Sequence, residues 1–178
     1  MCIRDRAFLA QRDADAIETT PIQPSGLFKA LRGVLPDDAA ITMDAGTMCL
    51  QATDQLSYGA PHSLFTPLDF GLVGFSYACG LGVKLAQPDR PVVSLMGDGG
   101  FGMTMSELST AVDHGINTVT VVMNNGSWGA EKAYQRDFFD GRYIGADVSS
   151  PPFDQVAEAY GAKGFRAGTV DEVGDAVQ

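Results

Sequence analysis

PVVSLMGDGGFGMTMSELSTAVDHGINTVTVVMNNG, residues 91–126, decides the fold class. Two apolar runs, 91–98 and 117–125, flank a segment with helical character that ends at Gly115. The continuous apolar run 91–98 is typical of a parallel strand buried on both faces, and 117–125 is predicted as the next strand. The stretch therefore predicts a strand–helix–strand unit in which Asp98 ends the first strand and Asn125 ends the second.

Similar elements flank this unit on both sides. The segments 39–46 and 164–168 are predicted as short strands, and 57–71 as a loop rich in glycine and proline. Predicted helices occupy 25–35, 47–56, 72–87, 104–115 and 170–178, and 153–164 is predicted as a helix and turn. Because strands alternate with helices, the sequence predicts an α/β fold with an open, mostly parallel sheet and helices on both faces.

The chain divides into a tail and one domain. Residues 1–21 are charged and weakly periodic, which predicts a linker or the tail of a preceding domain, and residues 1–6 are a candidate non-native segment. Residues 22–178 are predicted to form a single domain of ordinary size. The final predicted helix is short, so we expect this domain to be truncated at its C-terminus.

Composition excludes several function classes. The net charge of −10 argues against nucleic acid and anionic membranes as partners. No apolar run in the sequence is long enough to span a bilayer. The three cysteines show no metal-binding spacing, and their odd number does not indicate a disulfide framework. A reducing, cytoplasmic location is expected.

The strand end at Asp98 has the chemistry of a phosphate site. Gly97, Gly99 and Gly100 allow a ligand to approach the backbone closely. The following helix presents free N–H groups and the positive end of its dipole, both of which favour phosphate. A carboxylate would repel that phosphate unless a cation lay between them. Asp98 is therefore predicted to bind a metal ion.

The neighbouring strand end supplies further oxygen ligands. Asn125 offers an amide oxygen, and the turn at Gly126 and Ser127 can direct a main-chain carbonyl inward. Magnesium prefers such ligands together with phosphate oxygens and water. Taken singly, Gly-Asp-Gly and Asn-Asn-Gly are also common turn signals. Their placement at successive strand ends favours a clamp for Mg²⁺ and a diphosphate. A Rossmann dinucleotide site is disfavoured, because the glycines near Gly80 lie in a helical pattern and do not follow a strand.

Gly97-Asp98-Gly99 followed by Asn124-Asn125 resembles the thiamine diphosphate binding motif. The wider segment 69–112 is similar to the C-terminal cofactor-binding domain of the acetolactate synthase and pyruvate decarboxylase superfamily. The resemblance implies that Asp98, Asn125 and the main-chain carbonyl of Ser127 bind Mg²⁺. It also implies diphosphate contacts from the backbone of Gly99 and Gly100.

The resemblance assigns further positions around the cofactor. Gly46 and Thr47 match a second cofactor-contacting turn. The Gly71 carbonyl is expected to accept a hydrogen bond from the 4′-amino group of the cofactor. Val73 matches the branched residue that holds the cofactor in its bent shape, which makes the deprotonation of the reactive carbon intramolecular. Core packing is the alternative role for Val73.

Two residues that follow the turn at Asn125 each have two alternative predicted roles. Glu131 matches an acidic position that faces the substrate in related decarboxylases and is a candidate general acid or base. Its alternative is an exposed helix position paired with Lys132 or Arg136. Trp128 either forms a wall of the cofactor pocket or packs against the domain.

The segment 124–139 resembles sulfoacetaldehyde acetyltransferases, which cleave a sulfonated aldehyde and transfer its acetyl group to phosphate. The expected function is therefore the cofactor domain of a lyase or carboligase that acts on a 2-oxo acid or aldehyde. Sulfoacetaldehyde acetyltransferase and a non-catalytic cofactor-binding subunit are the alternatives. In the superfamily, a glutamate from a separate N-terminal domain completes the site, usually in a partner subunit. The resemblance thus implies a homodimer or homotetramer, and a fragment that is inactive alone.

Overall fold

The computed structural model describes residues 3–16, 21–67 and 69–177. Met1, Cys2 and Gln178, which the sequence predictions include, lie outside these ranges. Within the described part of the chain, four parallel strands form one sheet in the order β2-β1-β3-β4. The strands are β1 Ala40–Met43, β2 Leu64–Phe65, β3 Val92–Gly97 and β4 Val119–Met123.

Nine helices accompany the sheet within the described ranges. They are α1 Ile3–Ala14, α2 Pro24–Val34, α3 Thr47–Gln55, α4 Phe75–Ala86, α5 Asp98–Thr104, α6 Leu108–Asp113, α7 Gly129–Phe138, α8 Phe153–Ala159 and α9 Val170–Val177. A single 3-10 turn, Met105–Glu107, joins α5 to α6. No described helix has the length and apolarity needed to cross a membrane.

The sheet is covered on both faces, which confirms the predicted fold class. Val93 and Leu95 of β3 pack into a core cluster with Leu31 of α2 and Val173 of α9. Met96, whose side chain points to the opposite face, joins a second cluster. That cluster also contains Ile116 and four residues of α4, α5 and α6: Tyr77, Leu81, Phe101 and Leu108. Because β1 and β3 are buried throughout apart from Gly97, their sequences are continuous apolar runs.

Three buried hydroxyl groups lie between α4 and the sheet. The Thr42 hydroxyl lies 2.9 Å from Ser94 Oγ and 3.0 Å from Ser76 Oγ. Ser76 Oγ also donates to the main-chain carbonyl of Thr42 at 2.9 Å. Gly80 faces this hydroxyl cluster, since a Cβ placed on it would lie 2.2 Å from Ser94 Oγ. Close approach of α4 to β1 and β3 therefore requires glycine here.

Two predicted element boundaries need correction. Helical structure begins at Asp98, whereas the sequence predicts a helix only from 104, and the 3-10 turn interrupts it at 105–107. Glycine has a low helix propensity, but tertiary packing of Gly99 and Gly100 overrides it. The predicted loop 57–71 contains the two-residue strand β2, which is too short to produce a recognisable pattern.

The predicted strand at 164–168 is wrong: this segment has no strand structure. Gly164 packs against the backbone of Asp154, where an added Cβ would lie 2.0 Å from the carbonyl oxygen. No described strand pairs with this segment. Helix α1 occupies part of the predicted linker or tail, where no helix is expected from the sequence.

Candidate functional site

Three strand ends converge at one edge of the sheet. Parallel strands that end side by side place the residues following them close together. A Cβ placed on Gly129 would lie 3.4 Å from both Thr47 Oγ1 and Asn125 Nδ2. Thr47 follows β1 and Asn125 follows β4, so their side chains border the same point. The sequence prediction that these turns share one site agrees with this arrangement.

Asp98 lies buried at the end of β3, with only 2% of its surface exposed. Its Oδ2 accepts hydrogen bonds from Gly126 N at 3.1 Å and from Ser150 Oγ at 2.6 Å. No described residue donates to Oδ1. The described residues contain no cluster of three or more His, Cys, Asp and Glu side chains. A cation at Asp98 would therefore need ligands beyond a cluster of such side chains, and amide, carbonyl, phosphate and water oxygens are candidates.

Asn125 and Ser127 form a compact turn beside Asp98. Asn125 Oδ1 accepts hydrogen bonds from Ser127 N at 3.0 Å and from Ser127 Oγ at 3.1 Å. The side chain of Asn124 accepts from Gly126 N at 3.2 Å. Gly126 has a φ of +65°, a conformation that favours glycine. This turn keeps two oxygen-bearing side chains at the strand end.

A segment that we call the strap, residues 144–150, lies against this turn. Its backbone forms hydrogen bonds to the turn after β4: Trp128 N donates to Ala146 O at 2.8 Å, and Val148 N donates to Gly126 O at 2.9 Å. Lys132 forms an ion pair with Asp147 at 2.5 Å. At the end of the strap, the Ser150 hydroxyl donates a hydrogen bond to Asp98 Oδ2. The strap thus connects the turn after β4 to the carboxylate after β3.

Trp128 packs its ring directly on Gly99. A Cβ placed on Gly99 would lie 2.5 Å from Trp128 Cζ3 and 2.7 Å from Cη2. The indole therefore occupies the space that a side chain on Gly99 would fill. Of the two roles predicted for Trp128, this contact supports packing, and it occurs beside the predicted diphosphate-binding backbone.

Gly100 lies against Val73 and Asp44. A Cβ placed on Gly100 would lie 3.3 Å from Val73 Cγ1 and 2.1 Å from Asp44 Oδ2. Val73 is 38% exposed, so core packing does not describe its environment. It lies instead at the surface beside Gly100, next to the predicted diphosphate-binding glycines.

Asp44 is fully buried and organises the start of α4. Its carboxylate accepts hydrogen bonds from Gly74 N at 2.8 Å and Ser76 N at 3.1 Å. Burial raises the pKa of the Asp44 carboxyl, and these backbone N–H groups act in the opposite direction. Gly74 has a left-handed conformation, with φ +85°, directly after Val73. Asp44 therefore fixes the backbone turn that presents Val73.

A cavity of about 620 Å³ opens beside these residues. Among the predicted cofactor residues, Gly46, Thr47 and Gly71 line it. Gly46 and Gly71 have φ values of +127° and +61°. One side of α7 closes the cavity through Ala130, Ala133, Tyr134, Asp137 and Phe138. The cavity thus extends from the predicted cofactor turns to α7, while Asp98 and Asn125 lie outside its lining.

Glu131 lies on the first turn of α7 and is exposed. The ion pair predicted as its alternative role is absent among the described residues. Lys132 pairs with Asp147, and Arg136 pairs with Asp137 at 2.6 Å. Glu131 does not line the cavity. Its role as an acid or base therefore stays a prediction.

Sequence reasoning assigned no role to Asp44 or Ser150. Asp44 carries a detectable signal, because an acidic residue that ends a buried strand and precedes a glycine is placed at the ligand-binding edge. Ser150 carries none: it lies 52 positions from its partner, Asp98, in an irregular segment. Only the folded chain brings these two residues together.

Comparison with known proteins finds matches over most of the chain. Residues 44–178 match the family described as "Thiamine pyrophosphate enzyme, C-terminal TPP binding domain". The sulfoacetaldehyde acetyltransferase of Alcaligenes xylosoxydans xylosoxydans is 36% identical over 157 residues, covering 88% of this chain and 26% of that protein. The acetolactate synthase large subunit of Haemophilus influenzae is 32% identical over 158 residues, covering 88% and 28%.

A solved structure shares the fold. The thiamine diphosphate-dependent 4-hydroxybenzoylformate decarboxylase of Rhodococcus jostii RHA1 aligns with a TM-score of 0.83 and 28% identity, over 91% of this chain and 32% of that one. The chain thus spans about a quarter to a third of the length of these proteins. The match to residues 44–178 includes all the strand ends described above, and the chain belongs to the thiamine pyrophosphate enzymes, of which it carries the C-terminal TPP binding domain.

Proposed function

We propose that this chain binds thiamine diphosphate through Mg²⁺, as the cofactor domain of a lyase or carboligase that acts on a 2-oxo acid or an aldehyde. The observation that carries the proposal is the Asp98 carboxylate. It is buried at the strand end, Oδ2 is engaged by two donors, and no described residue donates to Oδ1.

The donor chemistry at this edge fits a magnesium ion. Asp98 would provide a carboxylate oxygen, Asn125 its amide oxygen and Ser127 its main-chain carbonyl, which are the hard oxygen ligands that Mg²⁺ prefers. Because Asn125 Oδ1 accepts from Ser127 N and Ser127 Oγ in this structure, metal binding would replace at least one of these two hydrogen bonds. Diphosphate and water oxygens would complete the shell. The glycine backbone at Gly99 and Gly100 would then contact the diphosphate.

The remaining residues would orient the cofactor. Gly46 and Thr47 line the cavity at the next strand end, and Gly71 lines it from the loop before α4. Val73 lies beside Gly100, where it would support the bent shape of the cofactor. When bound, thiamine diphosphate supplies an electron sink for the reacting carbon. The chain's own contribution is to bind and orient it.

Substrate and assembly are also proposed. A pyrimidine-binding domain outside this chain, supplied by a partner subunit, would provide the glutamate that contacts the aminopyrimidine. The active assembly would be a homodimer or homotetramer of a protein that contains both this domain and the pyrimidine-binding domain, and it would lie in the cytoplasm. Alone, this chain would hold half an active site and show no turnover.

A fluorescence titration tests the cofactor proposal, because Trp128 is the single tryptophan of the sequence and packs on Gly99. We expect thiamine diphosphate to change its emission saturably in Mg²⁺ and not in EDTA. Asp98→Asn should weaken the binding at least about tenfold, since it removes the charged ligand. Asp113→Asn, an exposed acid at the end of α6, is the control and should bind like the wild type. Equal binding by wild type and Asp98→Asn would contradict the assignment.

Sulfoacetaldehyde acetyltransferase is the second candidate reaction, supported by the 36% identity to such an enzyme. The cations of α7 give this candidate no further support, because Lys132 and Arg136 are paired with acids and do not line the cavity. Acetyl phosphate formed from sulfoacetaldehyde and phosphate, by the chain together with a pyrimidine-binding domain, would establish it. Cofactor binding without turnover of any oxo acid or aldehyde in that assembly would favour a non-catalytic subunit.

A further inference from the structure

We infer that Ser150 is a positioning residue for the metal site: its hydroxyl occupies one carboxylate oxygen of Asp98 and so directs the other oxygen toward the cation. The inference rests on the proposed function, because it concerns how this chain would hold Mg²⁺. It assigns a role to a residue outside the glycine and asparagine motifs.

The hydrogen bond between the two side chains is short and well placed. Ser150 Oγ donates to Asp98 Oδ2 at 2.6 Å, a distance expected for a hydroxyl bonded to a carboxylate. Gly126 N donates to the same oxygen at 3.1 Å. With both donors on Oδ2, the carboxylate cannot rotate without breaking two hydrogen bonds. Oδ1 is left to face any cation.

The position of Ser150 is fixed from its C-terminal side. It precedes Pro151 and Pro152, and proline restricts the residue before it to extended conformations. Phe153, the first residue of α8, packs edge-on against Phe101 at 5.1 Å between ring centroids. Phe101 is almost fully buried and lies three residues after Asp98 in α5. The hydroxyl and the carboxylate are therefore held by elements that also pack on each other.

The strap fixes Ser150 from its N-terminal side. Val148 N donates to Gly126 O, and Asp147 forms an ion pair with Lys132. Gln135 holds the start of the strap, since its side chain accepts from Ile144 N at 2.6 Å and donates to Ile144 O at 3.0 Å. The strap is thus anchored at both ends, with Ser150 at its end on Asp98.

Loss of a residue that forms a hydrogen bond to a metal ligand usually lowers metal affinity by about tenfold to a hundredfold. We therefore expect Ser150→Ala to raise the Mg²⁺ concentration for half-maximal thiamine diphosphate binding by that factor, measured by Trp128 fluorescence on the full chain. Far-UV circular dichroism should show the wild-type fold. Ser149→Ala changes an exposed neighbour and should leave the Mg²⁺ requirement unchanged.

A second pair of variants separates the hydroxyl from the volume of the side chain. Ser150→Thr keeps the hydroxyl. Valine has nearly the same shape as threonine, so Ser150→Val adds the same volume without the hydroxyl. We expect threonine to retain the wild-type Mg²⁺ requirement and valine to show the same loss as alanine. If Ser150→Ala does not fold, the comparison of Ser150→Thr with Ser150→Val tests the inference in its place.

Two results would overturn the inference, and they are distinguishable. If the wild type needs Mg²⁺ and folded Ser150→Ala or Ser150→Val needs no more of it, Ser150 does not position Asp98 for the metal. If the wild type binds thiamine diphosphate equally in EDTA, or does not bind it, the proposed function fails, and the inference fails with it.

Discussion

Gly100 and Asp44 meet so closely that no side chain fits between them: a Cβ on Gly100 would lie 2.1 Å from Asp44 Oδ2. The predicted diphosphate-binding backbone at Gly100 is therefore in direct contact with the buried carboxylate that holds the start of α4. Two turns of the site, after β1 and after β3, are coupled through this single contact.

Gly100→Ala should destabilise the chain for this reason. The methyl group must displace the Asp44 carboxylate, which would lose its hydrogen bonds to Gly74 N and Ser76 N. A cost of about 1–3 kcal/mol in the free energy of unfolding is expected, measured by urea denaturation. Gly102→Ala in the same helix is the control, because its Cβ would meet nothing within 4 Å. It should be neutral or stabilising by up to about 1 kcal/mol, and similar effects of the two substitutions would contradict the packing described.

Gly99→Ala should move the indole of Trp128. The added Cβ would lie 2.5 Å from the ring, which packs on that side of Gly99 in the wild type. We expect a shift of Trp128 emission to longer wavelength, as the ring becomes more solvated, and at least about tenfold weaker thiamine diphosphate binding if the glycine backbone contacts the diphosphate. Unchanged emission would show that Trp128 does not pack there in solution.

The acid dependence of stability should include a contribution from Glu172. Hydrogen bonds from Gly168 N and Thr169 N lower the pKa of its carboxyl below the usual 4.5. A folded-state pKa below the unfolded value means that the stabilisation is present above pH 4.5 and is lost as pH falls through the folded-state pKa.

Glu172→Gln should therefore lower stability at neutral pH and reduce its further loss in acid. Urea denaturation across a pH series would measure both effects. Glu158→Gln on α8 removes an exposed carboxylate without these partners and should leave the profile unchanged. Identical pH profiles for the wild type and Glu172→Gln would exclude this contribution.

The same contacts form a capping box at the start of α9. Thr169 precedes the helix, Glu172 is its third residue, and Glu172 N donates back to Thr169 Oγ1 at 3.4 Å. Thr169→Ala should cost about 0.5–2 kcal/mol, as the loss of a helix N-cap usually does. Thr169→Ser retains the hydroxyl and should be close to the wild type in the same urea denaturation measurement.

Glu131→Gln should show whether Glu131 contributes to turnover without contributing to stability. The side chain is exposed and has no partner among the described residues, so the change in stability should stay within about 0.5 kcal/mol. Thiamine diphosphate binding should also be unchanged. In an assembly that turns over substrate, a fall in kcat of about a hundredfold or more would identify Glu131 as an acid or base. An equal kcat would exclude that role.

The parts of the fold that sequence predicts well are those determined by periodicity and by strand ends. The apolar runs at β1 and β3 are visible because parallel strands buried on both faces have a distinctive composition. The run at β4, an edge strand that is only half-buried, and the polar residues Asp98 and Asn125 are visible as well. The family resemblance then agrees with the match over residues 44–178.

The parts that sequence does not predict depend on contacts between distant segments. The helix at Asp98 begins in a glycine-rich stretch with low helix propensity, because the packing of Asp44 and Trp128 on that stretch overrides propensity. The segment 164–168 is predicted as a strand, but Gly164 packs against the backbone of Asp154 and no described strand pairs with the segment. The contact of Ser150 with Asp98 leaves no local signal at all.

The hydroxyl cluster beneath Gly80 has a mechanical consequence. Thr42, Ser76 and Ser94 bond to one another at a single alignment of α4 with β1 and β3. Sliding the helix by one turn would bring a larger side chain onto these hydroxyls and leave them unpaired in an apolar interior, which is costly. These hydrogen bonds therefore fix the position of helix α4 along the sheet. Since Val73 and Gly74 directly precede this helix, the hydroxyl cluster also helps to set the position of Val73 relative to the sheet.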